Sequence, residues 1–317
     1  MSTPLEARNR LDGTDLRVSQ LCLGGNVFGW TADEAGSVDV LDAFAAAGGN
    51  FVDTADSYAN WVPGNAPGSS ERIIGAWLRR RGRRDDVVIA TKCGFNDGLA
   101  ADAIRHAADG SLARLGIETI DLYYAHKDDP TTPLDETLGA LAELVRAGKV
   151  RQLAASNYSA DRLAEALAIS DREGWPRFVA LQPHYNLVER GYEGALAEVC
   201  TREGLAVAPY YALASGFLTG KYRGDGSRPD GPRRRGAEAY LDERGRSVLA
   251  ALDDVARAHE TTVAAVALAW LASQPNVVAP IASARTPEQL ADLVKMGTLT
   301  LSPDEVRRLS DASDEFD

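Results

Sequence analysis

The sequence predicts an α/β protein of the (β/α)8 TIM-barrel class, and three observations carry that expectation. Short β-branched or apolar runs recur eight times, at residues 18–23, 50–53, 87–92, 120–126, 150–156, 178–182, 205–210 and 277–281. Stretches of helical period separate most of them, at 37–47, 71–81, 100–115, 134–147, 160–173 and 192–203. Strand ends near Asp53, Lys92, His126, Ser156, Gln182 and Tyr210 follow one another at intervals of 39, 34, 30, 26 and 28 residues. Such alternation implies parallel strands joined by right-handed crossovers. Units this even favour a closed ring over two nucleotide-binding halves, and no GxGxxG follows any strand.

The elements read in order as follows. The opening NRLDGTDLRV alternates around Asp12-Gly13, a strong signal for a β-hairpin that could plug the bottom of a barrel. Gly48, Gly148 and Gly204 each close a helical stretch just before a strand, where a helix C-terminus favours glycine. The regular spacing breaks once, in the 67 residues from Tyr210 to Val277. That gap holds helical stretches at 241–259 and 263–273 and an irregular segment, GKYRGDGSRPDGPRRRG. A loop this long is mobile or functional. Its basic run Arg233–Arg235 reads as part of a solvated loop. No linker or composition break divides the 317 residues, so one domain over 1–317 is expected.

Composition bounds the partners. Apolar residues make up 45% and charged residues 25%, ordinary values for a soluble globular chain. A net charge of −12 argues against nucleic acid or an anionic membrane surface as a general partner. Local arginine and lysine placement still decides whether a phosphorylated ligand binds. Three scattered cysteines, Cys22, Cys93 and Cys200, form no CxxC and fit free thiols in a reducing compartment. The opening MSTPLEARNRLDG lacks an apolar core, and no run approaches 18 apolar residues, so the cytoplasm is the expected location. Oligomerisation is left open.

In an α/β barrel the reacting groups stand at the C-terminal ends of the strands. Those positions hold Asp53, Lys92 and His126, with Tyr58 five residues after Asp53. A charged residue at the inner rim needs a partner or a task. Asp53 and Lys92 can simply neutralise each other. They can also do chemistry: an ammonium beside a phenol stabilises the phenolate and lowers its pKa, and a carboxylate holds the ammonium in place. An imidazole at His126 could orient a carbonyl oxygen. Together the four groups suit delivery of a proton to a carbonyl oxygen while hydride reaches the carbon.

The motifs resemble those of the aldo-keto reductases. Asp53-Thr54-Ala55-Asp56-Ser57-Tyr58, Thr91-Lys92 and Leu122-Tyr123-Tyr124-Ala125-His126 look like the family's catalytic tetrad segments. The likeness continues through Gly148-Lys149-Val150-Arg151, Ser156-Asn157-Tyr158-Ser159, Gln182-Pro183-His184-Tyr185-Asn186, Pro209-Tyr210 and residues 213–222. It ends with Pro280-Ile281 and Arg285-Thr286-Pro287-Glu288-Gln289-Leu290, covering nearly the whole chain. The resemblance implies NADPH as cofactor, a small-molecule carbonyl substrate and Tyr58 as general acid. It implies that Ser156, Asn157 and Gln182 bond the nicotinamide carboxamide and that Tyr210 stacks on its ring. The segment from Leu213 through Gly216, Leu218 and Gly220 to Lys221, in the long loop after the seventh barrel strand, would cover the pyrophosphate. Arg285 would take the 2′-phosphate, with Ser283 beside it and Gln289 at the adenosine end. Phe28, Trp30 and Trp61 are expected to line the substrate pocket, and residues 61–69 to shape its entrance.

Three positions depart from the family pattern. Tyr211-Ala212 stands where many relatives carry Ser-Pro, Ser283 where Gly is frequent, and Leu293 where an adenine-contacting Asn is common. Other readings are weaker. Gly216-Phe217-Leu218-Thr219-Gly220-Lys221 imitates a P-loop but lacks one residue between the glycines and the hydroxyl residue after the lysine. Four histidines without HxH or HExxH pairing argue against a metal site, and Lys127 would intrude on one built at His126, Asp128 and Asp129 with His184. Cys93 reads as a small buried hydrophobe. The alternative function is a cofactor-binding regulatory barrel, resembling a channel subunit, with little turnover.

Overall fold

The computed structural model describes residues 3–223 and 231–314. Strands β1 (Arg8–Arg10) and β2 (Arg17–Ser19) form the expected antiparallel hairpin, with Asn9 opposite Val18. The Thr14 hydroxyl fastens its turn, donating to the Leu11 carbonyl at 2.8 Å and accepting from the Leu16 amide at 3.0 Å. The eight remaining strands are parallel. They are β3 (Cys22–Gly24), β4 (Phe51–Asp53), β5 (Val88–Cys93), β6 (Ile120–Ala125), β7 (Val150–Ser156), β8 (Phe178–Gln182), β9 (Ala206–Val207) and β10 (Ile281–Ala282). Their order is β10-β3-β4-β5-β6-β7-β8-β9. The ring closes through a parallel bridge between Val207 and Val277, with the Ile281 amide donating to the Pro209 carbonyl at 2.8 Å.

Two expected strands are divided. The run 18–23 gives its first part to the hairpin and its second to the barrel. The chain turns between them, where Ser19 donates its hydroxyl to the Leu21 carbonyl and its amide to the Asn50 side chain. The run 277–281 touches β9 at Val277 and becomes a strand only at Ile281. Pro280 lies between and has no N–H to offer a ladder.

Helices α1 (Glu34–Ala46), α2 (Ser69–Arg81), α3 (Ala101–Leu115), α4 (Leu134–Arg146), α5 (Ala160–Glu173) and α6 (Ala195–Glu203) surround the ring within a few residues of their expected bounds. Gly48, Gly148 and Gly204 follow α1, α4 and α6 with φ of 87°, 71° and 67°, the left-handed exits expected of them. The long segment after β9 contains α7 (Arg234–Glu238), α8 (Glu243–Ala258) and α9 (Val263–Ala272). Residues 224–230 of its irregular part lie outside the described residues. Helices α10 (Pro287–Val294) and α11 (Pro303–Asp314) complete the chain. Asp33, Ser159, Asp242, Thr262 and Thr286 cap α1, α5, α8, α9 and α10, each accepting from a backbone N–H in the first turn. Among the described residues no helix is long and apolar enough to cross a membrane.

Period-two alternation divides the strands between two cores. Phe51, Val88, Ala90, Leu122, Tyr124, Ala154 and Ala180 point into the ring, where they pack with Leu11, Leu16 and Val18 of the hairpin. The hairpin therefore closes the lower end. Val52, Ile89, Tyr123, Ala125, Leu153 and Leu181 point outward to the helices. Counting on by two along each strand, Asp53, Lys92, His126, Ser156 and Gln182 are the next inward positions at the opposite end.

A buried polar network braces the β4–α2 region. Glu71, fully buried on α2, accepts from Arg114 Nε and Thr91 Oγ1, each at 2.6 Å. Ser70 lies 2.8 Å from the Thr54 hydroxyl and donates to the Gly25 carbonyl. Asp56, in the same loop as Tyr58, has its carboxyl pushed up to about 7 by burial and by Glu71, against the opposing Arg114. A folded-state pKa above the ordinary 3.8 means that folding takes up a proton between about pH 4 and about pH 7. Stability from this group is present in acid and lost as pH rises through that window. Asp56→Asn should therefore gain thermal midpoint over the parent by a few degrees more at pH 8 than at pH 5; equal gaps at the two pH values would contradict the assignment. Close packing also fixes Gly75 inside α2, because a Cβ there would lie 2.4 Å from the Arg114 carbonyl oxygen and 2.7 Å from that of Leu115. Helix propensity favours alanine by about 1 kcal/mol. Gly75→Ala should nevertheless lower the denaturation midpoint, through an overpacking cost of about 1–3 kcal/mol; a raised midpoint would refute the close approach.

Candidate active site

Five strand ends and the β4–α2 loop bring the expected side chains to one mouth of the barrel. Lys92 is fully buried, and its ammonium donates to Asp53 Oδ2 at 2.7 Å, the Thr54 carbonyl at 2.7 Å and the Tyr58 hydroxyl at 2.9 Å. An ammonium has three N–H groups, so its donor capacity is filled. Gln182 Nε2 donates to the other Asp53 oxygen at 2.9 Å and fixes the carboxylate plane. The Tyr58 oxygen accepts from Lys92, while its own O–H has only a 3.5 Å contact with Asp53. That contact is too long to hold the proton, which is free to face the cavity.

Electrostatics differ from the sequence expectation at one point. Burial and the Asp53 carboxylate push the Tyr58 phenol well above its ordinary value, where an adjacent ammonium was expected to lower it. Burial of the ring is the larger cause, and the Asp53 carboxylate, which lies against the same ammonium, adds to it. Burial pulls Lys92 down and Asp53 opposes it. The resting phenol is thus fully stocked with its proton. The imidazole of His126 is pushed down to about 2, first by burial and then by Lys92 and Lys127. It is neutral, buried, and its ring centroid lies 6.0 Å from that of Tyr58. A neutral imidazole can donate one hydrogen bond without competing as an acid.

A cavity of about 1200 Å³ opens above these groups. Pockets for a single drug-sized ligand run to about 1,000 Å³, so this volume has room for two ligands side by side. Asp53, Tyr58, His126, Ser156, Asn157, Gln182 and Tyr210 line its floor. The Tyr210 hydroxyl donates to Asn157 Oδ1 at 2.8 Å, and Asn157 Nδ2 donates to the His126 carbonyl at 2.9 Å. Asn157 holds a positive φ of 55°, a backbone strain that aims its amide at the cavity floor. Beyond Tyr210 the walls include Leu213, Gly216, Lys221, Ser283, Arg285 and Gln289. Ser283 faces Asn26 at 2.7 Å, and the Arg285 amide donates to Gln289 Oε1 at 3.1 Å. Leu293 also lines this end, beside Asp292.

Lys221, Arg233 and Arg285 meet in this cavity. Burial and the charges of Arg285 and Arg233 pull the Lys221 ammonium down, the mark of cations gathered without an anion. Lys221 and Arg285, among these, fit a phosphorylated cofactor. The basic run expected to be solvated is divided: Arg235 is exposed, Arg234 pairs with Glu238 at 2.9 Å, and Arg233 turns inward to line the cavity. Sequence spacing could not reveal that turn, because it depends on where α7 starts.

Not every expected residue reaches the cavity. Leu218 is fully buried in the helical core and Gly220 lies behind Lys221, outside the lining. Phe28, expected in the substrate pocket, is instead fully buried in the helical core and does not line the cavity. Its backbone N–H closes a short turn onto Gly25, which directs the ring inward. Trp30 stands one step back, its ring edge-on to Trp61 at 5.5 Å, and Trp61 lines the mouth. Phe95 and Lys127 also reach the cavity and went unnoticed as pocket residues in the sequence. Each lies one to three residues beyond a strand end, so the rule that found Tyr58 would have found them. Among the described residues no three His, Cys, Asp or Glu side chains gather as a metal-holding group.

The family comparison agrees with this architecture. Residues 20–314 match the model of the aldo/keto reductase family. The chain is 36% identical to an uncharacterized oxidoreductase, YrpG, of Bacillus subtilis, over 95% of this chain and 94% of that protein. It is 34% identical to protein tas of Escherichia coli, over 93% of this chain and 94% of the relative. Norsolorinic acid reductase stcV of Emericella nidulans is 32% identical over 93% of this chain and 78% of its own length. With every barrel strand inside the matched span, the chain belongs to the aldo/keto reductase family of NAD(P)-dependent oxidoreductases.

Proposed function

We propose that this protein, as one barrel domain, reduces an aldehyde or ketone to an alcohol with NADPH, and that Tyr58 supplies the proton. The observation that supports it most is the Lys92 ammonium held between Asp53 and the Tyr58 hydroxyl at the floor of a cavity that His126 also faces. NADPH, when bound, supplies the hydride that reduces the carbonyl carbon. Ser156, Asn157, Gln182 and Tyr210 would hold its nicotinamide, Leu213, Gly216 and Lys221 its pyrophosphate, and Arg285 with Gln289 its 2′-phosphate end. A guanidinium fork suits phosphate, and Arg285 is exposed, with no ion pair to its side chain among the described residues. Three buried free cysteines suit a reducing compartment, in keeping with the cytoplasm.

The chain's own groups then divide the work. His126, neutral, donates to the carbonyl oxygen and orients it. As hydride arrives, that oxygen becomes an alkoxide, a far stronger base than a phenolate. The proton on the Tyr58 oxygen moves to it, even from a phenol whose pKa is raised. The phenolate left behind receives the hydrogen bond that Lys92 already makes, so little reorganisation is needed.

Tyr58→Phe should cut NADPH-linked turnover by about 10²–10⁴-fold, with the NADPH dissociation constant from fluorescence titration nearly intact. Comparable loss of both would contradict its role as proton donor. Arg285→Ala should weaken NADPH about tenfold or more while NADH binding changes little, since only NADPH carries the extra phosphate. Equal weakening of both cofactors would remove that assignment.

A further inference from the structure

Three large apolar side chains stand exposed among the described residues: Trp61, Phe95 and Tyr211, at 52%, 45% and 47%. All three line the one cavity above Tyr58, from loops after β4, β5 and β9. Exposed aromatics converging on one mouth mark a surface that a ligand covers. The Phe95 ring lies 4.8 Å from that of His126, so the array begins beside the reacting centre. Tyr211 is held outward by its backbone: its φ is 53°, and its carbonyl accepts from Asn186 Nδ2 at 3.0 Å. Flat faces on several sides suit a planar ring better than a chain.

Arg233 supplies a second requirement. Its guanidinium lies 5.6 Å from the Trp30 ring centroid, within cation–π range, and Trp30 in turn abuts Trp61. Tyr211, Arg285 and Tyr58 lie within electrostatic reach of it. Neighbouring Arg223 and Arg234 pair with Asp253 and Glu238, whereas no carboxylate pairs with Arg233 among the described residues. A partly buried guanidinium without an acid partner, in a chain of net charge −12, is kept for an anion that arrives from outside. Lys221 and Arg285 lie within electrostatic reach of Arg233, but the ring that Arg233 lies over is Trp30, which abuts Trp61 at the cavity mouth.

We propose that Arg233 determines substrate specificity by pairing with an anionic substituent on an aromatic carbonyl compound, whose ring lies among Trp61, Phe95 and Tyr211. This rests on the carbonyl-reductase reading. Arg233 does not touch the carbonyl itself; it sets which compound presents one to Tyr58.

The test compares 4-carboxybenzaldehyde with its neutral methyl ester at saturating NADPH, in the parent and in Arg233→Met. The parent should favour the acid in kcat/KM by roughly tenfold or more, as a charge-assisted pair allows. The variant should lose that preference through KM, with kcat for the acid little affected. No preference in the parent, or a preference that survives the substitution, would overturn the proposal. NADPH titration supplies the second arm: weaker NADPH binding in Arg233→Met with an unchanged acid-to-ester ratio would assign Arg233 to the cofactor phosphates instead. Calorimetry of benzoate against benzamide on the NADP-loaded protein separates this claim from the reductase reading, because it needs no turnover. Benzoate binding that Arg233→Met abolishes supports the pairing even if neither aldehyde is reduced; benzoate binding no better than benzamide overturns it.

Discussion

A single buried ammonium organises the site. Lys92 lies wholly out of water, where an unpaired charge would cost several kcal/mol. Its three N–H groups meet a carboxylate, a backbone carbonyl and a phenol, all within 2.9 Å. Each acceptor comes from β4 or the loop that follows it, so one side chain on β5 ties that loop to the barrel rim. Asp53 is fixed in turn by Gln182 from β8, on the opposite side of the ring. The geometry that would ready Tyr58 to give its proton is thus the same geometry that satisfies a buried charge. Stability and chemistry here share one set of hydrogen bonds.

The barrel makes this arrangement possible through the alternation of its strands. Inward positions below the site carry small residues, Ala90, Ala154 and Ala180, beside Phe51, Leu122 and Tyr124. The hairpin side chains Leu11, Leu16 and Val18 fill what remains and shut the lower end to solvent. Polar inward positions are thereby confined to the upper rim. A charged side chain at that rim meets low-dielectric walls on one side and the cavity on the other, which strengthens each of its interactions.

Much of this was legible in the sequence because it depends on period and strand-end position. The eight strands, the hairpin at Asp12-Gly13 and the glycine exits follow from local backbone preference. Asp53, Lys92 and His126 follow from reading polar residues at the ends of apolar runs. The side of the phenol's pKa shift was not legible, since it depends first on how deeply the ring is buried and then on how close Asp53 stands to it. Phe28 was misassigned because a short turn through Gly25 rotates it into the core, an orientation that no sequence pattern encodes. Arg233 looked like its solvated neighbours, and only the start of α7 separates the three.

The long segment after β9 helps to wall the cavity. The cavity gathers the cations Lys221 and Arg285 in its lining, and the aromatic rings of Trp61, Phe95 and Tyr211 at its mouth. Its floor holds the Tyr58 phenol and the neutral His126, the two groups that would meet a carbonyl oxygen. The whole account depends on the Lys92 ammonium meeting the phenolate that forms. Single-turnover oxidation of bound NADPH by excess aldehyde, in a Lys92→Met variant whose fold is verified by circular dichroism, measures that dependence most directly. The account predicts a slowing of two or more orders of magnitude; hydride transfer at the parent's rate in the folded variant would contradict it.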